Sequence, residues 1–198
     1  MGKLFVILIG AIIFMLLSQK KAYAHCDTMD GPTVKDGIKA LETKNINYAL
    51  KWILPAYDEE LKKIFELSLK VRTLSPEAEE LADRYFLESL VRIHRAGEGA
   101  GFEGLKPHGE PIDEKVQAAD KSIEIGNLSP LKGLVTDDEM HELEKLFEKV
   151  MALKDFEVND VGAGRKYIEA YVSFFKFAEG EEHEHGHGHH TAHGHHIH

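Results

Sequence analysis

The sequence has a single cysteine, Cys26, among its 198 residues. One cysteine cannot form a disulfide within the chain, so its thiol is a ligand, a free thiol or a partner in an intermolecular bond. In an oxidising compartment, an exposed free thiol is oxidised unless something occupies or buries it. A bound metal ion would protect Cys26, and so would burial in the fold.

Positive charge is also scarce, because 24 Lys and Arg stand against 34 Asp and Glu and leave a net charge of −10. Neutralising phosphates takes an excess of Lys and Arg, which argues against nucleic acid as a partner. An anionic lipid surface is disfavoured for the same reason. The sequence also has no Cys-x-x-Cys-His haem attachment, P-loop, dinucleotide fingerprint or Ser elbow. None of these cofactor or enzyme classes is therefore indicated.

Residues 1–24 have the features of a secretory signal: a positive start, an apolar run and a small-x-small triplet that ends at Ala24. Cleavage there would make His25 the first residue of a periplasmic or secreted protein with no stable membrane insertion. The alternative is an uncleaved anchor, with Lys20 and Lys21 as its stop. The apolar run is short for a full span, which favours cleavage.

His25 and Cys26 would then stand first and second in the mature chain. Together they would offer an α-amine, an imidazole, an amide nitrogen and a thiolate, which suit a transition metal ion (Ni, Cu or Zn). Asp30 lies near enough in sequence to add an oxygen ligand. The alternative is that the His-Cys pair is accidental and Cys26 is simply buried.

The residues from His25 to Gly31 resemble the mature start of nickel superoxide dismutase, a helical-bundle family that begins His-Cys-Asp-x-Pro-Cys-Gly. The resemblance implies a metal hook in which His25 gives amine and imidazole, and Cys26 gives amide nitrogen and thiolate. Asp30 replaces the second cysteine of that family, and Thr33 falls where its tyrosine lies over the metal.

The stretch Arg92–Gly99 and the His-Cys-Asp start together resemble an uncharacterised family of exported helical proteins, a resemblance that implies no activity. His94 is predicted near a helix end, where Glu98 can pair with it. A site in the stretch Arg92–Gly99 would hold the N-terminal segment in place or supply His94 as an additional metal ligand. The alternative is a purely structural role, as a capped helix end with salt bridges. Glu88 precedes Arg92 by four residues, a spacing that allows an ion pair on the helix surface.

Helical spacing of apolar residues predicts an all-α fold, an elaborated helical bundle with short extra helices over residues 25–179. Ser75, Thr136 and either Asn159 or Asp160 are predicted helix caps. Glycine and proline concentrate in residues 97–111, which predicts a long loop.

Residues 180–198 form a tail of low complexity, predicted to be disordered without a ligand. Its imidazoles bind nickel, zinc or copper(II). The interruptions between them favour a natural segment over an expression tag. The tail holds nine of the thirteen histidines: His183, His185, His187, His189, His190, His193, His195, His196 and His198.

The sequence thus predicts an exported transition-metal-binding protein that uses an N-terminal His-Cys chelate, with the tail as a weaker reservoir. One alternative is a nickel or copper superoxide dismutase-like enzyme built on the same hook. A second is a helical interaction module with no redox role, whose Cys26 bonds a partner. The sequence is compatible with a homo-oligomer and does not determine the oligomeric state.

Overall fold

The computed structural model of the chain describes residues 26–180. In this range there are seven α-helices and no strand, which confirms the predicted all-α bundle. The predicted signal, His25 and the tail histidines lie outside the described residues. The helices are α1 (Pro32–Thr43), α2 (Asn47–Leu50), α3 (Asp58–Val71), α4 (Pro76–Gly97), α5 (Glu114–Ile125), α6 (Asp137–Leu153) and α7 (Val161–Glu179), with 3₁₀ turns at Pro55–Tyr57 and Ser129–Leu131.

The helix starts follow the predicted caps. The Ser75 hydroxyl accepts a hydrogen bond from the backbone N–H of Ala78 at the start of α4. Thr136 and Glu139 form a reciprocal capping box at the start of α6. Asp160, rather than Asn159, caps α7. Each of these side chains satisfies a backbone N–H that has no partner within its helix, so the starts of these helices are determined locally.

The helices pack in neighbouring pairs, α3 on α4 and α6 on α7, with α1 against α4 and α5 against α7. Phe86 and Phe174 are fully buried at the centre of this core. Gly37 allows α1 to approach α4 closely, because a Cβ there would lie 2.6 Å from Cδ2 of Leu87 and 3.0 Å from Cδ2 of Leu90. No helix in the described part of the chain is long and apolar enough to cross a membrane.

The segment that precedes α1 lies along the predicted Gly-rich loop, which begins where α4 ends at Gly97. The backbone N–H of Met29 donates to the carbonyl of Lys106 at 3.0 Å. The N–H of Lys106 donates in turn to the carbonyl of Asp27 at 2.8 Å. These bonds hold Cys26 and Asp27 in place beside the C-terminal end of α4.

Candidate functional site

Cys26 is buried, with 5 % of its surface exposed, although it lies at the beginning of the described chain. Burial raises the pKa of its thiol to about 12, and the negative charge of Glu98 contributes in the same direction. Asp27 also raises the thiol pKa and Arg95 lowers it. The thiol is therefore neutral at physiological pH unless a cation stabilises the thiolate.

Asp27 and Arg95 are charged residues buried beside Cys26, with 6 % and 7 % of their surfaces exposed. Burial raises the pKa of the Asp27 carboxyl to about 6, while the Arg95 charge opposes this shift. Arg95 Nε lies 3.6 Å from Asp27 Oδ1, and Arg95 Nη1 lies 3.5 Å from Glu98 Oε2. Arg95 thus links the N-terminal segment to the end of α4 through two carboxylates.

His94, on the last turn of α4, is 4 % exposed. Its Nδ1 lies 2.7 Å from the carbonyl oxygen of Trp52. A carbonyl only accepts, so Nδ1 carries the proton and donates it. Burial lowers the pKa of His94, with Glu98 opposing, so the ring is neutral and Nε2 presents a lone pair. Nε2 has no hydrogen-bond partner among the described residues and lies 3.7 Å from Glu98 Oε2.

His94 and Glu98 line an open cleft of about 730 Å³ between the end of α4, residues 51–54 and α7. Trp52 and Leu54 contribute apolar walls, and Glu169 and Lys176 line the cleft from α7. Lys176 Nζ lies 3.5 Å from Glu98 Oε1, so the last turns of α7 face the end of α4. The cleft combines an unused imidazole nitrogen, a carboxylate and an apolar surface.

Asp30, the predicted oxygen ligand, is engaged elsewhere in the structure. Its Oδ1 lies 2.7 Å from Nδ1 of His108, and its Oδ2 accepts from the N–H of Gly109 at 2.8 Å. Both contacts are exposed and fasten the N-terminal segment to the Gly-rich loop. A metal ion at Asp30 would share these oxygens with His108 and Gly109.

The structure brings His94 and Glu98 close together, as their spacing predicted, with 3.7 Å between Nε2 and Oε2. Glu88 and Arg92, by contrast, do not pair with each other. Arg92 donates to Glu60 on α3 at 2.6 Å, and Glu88 accepts from Arg84 at 3.0 Å. Arg95 was missed by sequence reasoning, although its place in the stretch Arg92–Gly99 marked it for attention. Lys176 was missed as well, because nothing in a helical sequence indicates which distant carboxylate a lysine faces.

Between residues 26 and 180 the structure shows no group of three or more His, Cys, Asp or Glu side chains that could hold a metal ion. An ion at Cys26 would therefore need donors from outside the described range. His25 stands next to Cys26 in the chain and lies outside that range. The predicted ligand His94 contributes one free nitrogen, and the tail histidines again fall outside what is described.

A comparison with protein-family models matches residues 30–177 to a family of unknown function, DUF6448. The chain belongs to this family. The matched range contains the helical bundle, His94 and Glu98, and it begins after Cys26. Comparisons with curated proteins and with solved structures found no match. This agrees with the predicted resemblance to an uncharacterised family and assigns no activity.

Proposed function

We propose that this protein is an exported binder of a transition metal ion, held through His25 and Cys26 at the mature N-terminus. The observation that carries the proposal is the position of Cys26. The cysteine that would be second after cleavage is buried beside Glu98, Asp27 and Arg95. The backbone of the residues that follow it, Asp27 and Met29, is hydrogen-bonded to Lys106 in the Gly-rich loop. Burial alone also fits the alternative of an accidental, simply buried cysteine, so the support for a cationic ligand comes from the negative charges of Glu98 and Asp27 around the thiol.

The electrostatics around Cys26 support a cationic ligand. Burial and the charges of Glu98 and Asp27 all disfavour a bare thiolate. The same carboxylates attract a metal cation, which would take the place of the thiol proton. Soft thiolate and borderline nitrogen donors prefer nickel, copper or zinc to calcium or magnesium. The His25 amine and imidazole would supply the further donors.

Metal content of the tail-less mature chain, residues 25–180, tests this proposal. After dialysis against trace nickel, copper or zinc, we expect one tightly held ion per chain. The variant Cys26→Ser should lose the ion, because the thiolate ligand is gone. Serine has nearly the same volume, so the fold should be kept. Acetylation of the His25 amine should weaken binding, whereas the matched variant Glu103→Gln in the Gly-rich loop should not. An ion held equally well by Cys26→Ser would refute the proposal.

The superoxide dismutase alternative has less support than the proposal that the protein binds the ion without redox catalysis. Asp30 stands where the dismutase family has its second thiolate, and its carboxylate is engaged by His108 and Gly109. A carboxylate does not tune a nickel couple as a thiolate does. We therefore expect the loaded tail-less protein to accelerate superoxide decay no more than the free ion. A larger rate would favour the enzyme.

The interaction-module alternative makes a different prediction for Cys26. If that thiol bonds a partner, the exported protein should migrate as a disulfide-linked species without reducing agent. Cys26→Ser should abolish that species, and the tail-less chain should hold no ion. The burial of Cys26 in the single chain argues against this, because a disulfide partner needs access to the sulfur.

A further inference from the structure

The outer face of the hairpin formed by α3 and α4 carries most of the exposed large apolar side chains of the described chain. Six such side chains are exposed between residues 26 and 180, and four of them belong to this hairpin. They are Leu67 on α3, Leu74 in the turn, and Leu81 and Tyr85 on α4, each between 52 % and 75 % exposed. A single exposed leucine is ordinary, whereas a cluster of exposed apolar side chains indicates an interaction surface. We call these four side chains the apolar strip.

Contacts between α3 and α4 place the members of the apolar strip side by side. Arg92 of α4 donates to Glu60 of α3 at 2.6 Å, and both side chains are nearly half exposed, so this bridge lies on the outer face. A turn of only four residues joins the two helices, which therefore run antiparallel. Leu67 follows Glu60 by seven residues, and Tyr85 precedes Arg92 by seven. Two helical turns are about seven residues, so Leu67 and Tyr85 share one level of this face. Leu81 continues the strip one turn closer to the hairpin tip.

Charged side chains of opposite sign border the two sides of the apolar strip. On α3, the exposed Lys63 and Lys70 lie about one turn before and after the apolar side chain of that helix. On α4, Glu77 and Glu88 lie about one turn beyond the two ends of the strip. Arg84 is on this side as well and pairs with Glu88 at 3.0 Å. The α3 side is therefore positive, and the α4 side keeps an excess of one negative charge.

We propose that the apolar strip is the interface of a homodimer in which α3 of each copy packs against α4 of the other. A two-fold axis parallel to the helices brings the positive side of one copy onto the negative side of its neighbour. Packing of α3 on α3 would instead place lysines opposite lysines, which is unfavourable. The surface thus complements itself, as a two-fold interface requires. The two hairpins would form a four-helix bundle that covers both strips. None of the metal ligands of the proposed function takes part.

Sedimentation equilibrium of the chain without its predicted signal, residues 25–198, tests this interface. A chelator and a reducing agent are present, so that neither a metal ion nor a Cys26 disulfide can bridge two copies. We expect a dimer at about 100 µM that dissociates on dilution, because an interface of few side chains is at the weak end of the known range. Leu67→Ser and Leu81→Ser should each weaken the dimer at least tenfold, since the two-fold axis repeats each substitution. Leu54→Ser, which removes a leucine that is 51 % exposed outside the strip, should leave the dimer unchanged.

A charge exchange tests which helices meet. Lys63 follows Glu60 by three residues and Glu88 precedes Arg92 by four, so Lys63 and Glu88 lie at the same level. Lys63→Glu and Glu88→Lys should each weaken the dimer, and the double variant should regain most of the lost affinity. If the double variant stays weak, the packing of α3 on α4 is wrong.

A chain that is monomeric at about 100 µM would overturn the interface, because even a weak dimer assembles at that concentration. A dimer that Leu67→Ser and Leu81→Ser leave intact would overturn it as well. The substituted side chains are exposed, so the variants should keep the helical circular dichroism of the unmodified chain. Because the chelator removes metal throughout, failure of the proposed metal binding leaves these results unchanged.

Discussion

The burial of Cys26 makes a quantitative prediction about its reactivity in the metal-free protein. Alkylating reagents attack the thiolate, so the rate follows the fraction ionised. The structure raises the thiol pKa from an ordinary 9.0 to about 12. At pH 8 this lowers the thiolate fraction about a thousandfold relative to the unfolded chain. Restricted access to a side chain that is 5 % exposed slows the reaction further.

The assay is alkylation by iodoacetamide at pH 8, followed by intact mass spectrometry of the metal-free protein, native and in urea. Glu98→Gln should speed the native reaction, because the negative charge of Glu98 contributes to the raised pKa of the thiol. Glu103→Gln is the matched control, since its carboxylate lies exposed in the Gly-rich loop. A native thiol that reacts within tenfold of the unfolded one would refute this reasoning.

Two further predictions concern the fold. Gly37→Ala should lower the free energy of unfolding by about 1–3 kcal/mol in urea, because its Cβ would lie 2.6 Å from Leu87. Gly162→Ala, where the new Cβ would lie 3.4 Å from a carboxylate oxygen, is the control and should change it less. Thr136→Ala should cost about 1 kcal/mol through loss of the capping box. Hydrogen bonds from Thr136 lower the pKa of Glu139, so the part of this stabilisation that comes from the Glu139 carboxylate is present above pH 4.5 and is lost as the pH falls. An equal loss at pH 3 and pH 7 would contradict the assigned role of Glu139.

We expect the histidine-rich tail to release its metal ions as the pH falls. A free imidazole has a pKa near 6.5, and protonation removes the lone pair that would bind the ion. Loading of the full chain should therefore fall between about pH 7 and pH 5. The tail-less chain, which would bind through sulfur and an amine, serves as the comparison. Full zinc loading of the tail at pH 5 would show that donors other than imidazole hold the ion.

The helices and their starts were largely predictable because they depend on neighbours in sequence. Ser75, Thr136 and Asp160 each bond to a backbone N–H three residues ahead, so a short stretch determines each cap. The end of α4 at Gly97 and the long loop after it follow from local glycine and proline content. The closeness of His94 and Glu98 was predictable for the same reason, since one helical turn separates them.

Contacts between distant elements were not predictable in this way. The spacing of Glu88 and Arg92 allowed a pair. Arg92 instead donates to Glu60 on α3, because α3 packs on α4 and places that carboxylate within hydrogen-bond distance. Gly37 carried no signal in the sequence, since the need for a missing Cβ arises only when α1 meets α4. Asp30 could be predicted as a metal ligand from its position in sequence. Its contact with His108 could not be predicted, because it depends on the path of the Gly-rich loop back to the N-terminal segment.

The sequence alone determined that this is an acidic helical bundle with one cysteine beside a predicted cleavage site and a tail rich in histidine. Those properties follow from composition and local spacing. Only the tertiary structure decided that Cys26 is buried beside Glu98, that the proton of His94 faces Trp52, and that the end of α7 meets the same carboxylate. The physical reason is that desolvation and proton position depend on atoms supplied by segments far apart in the chain.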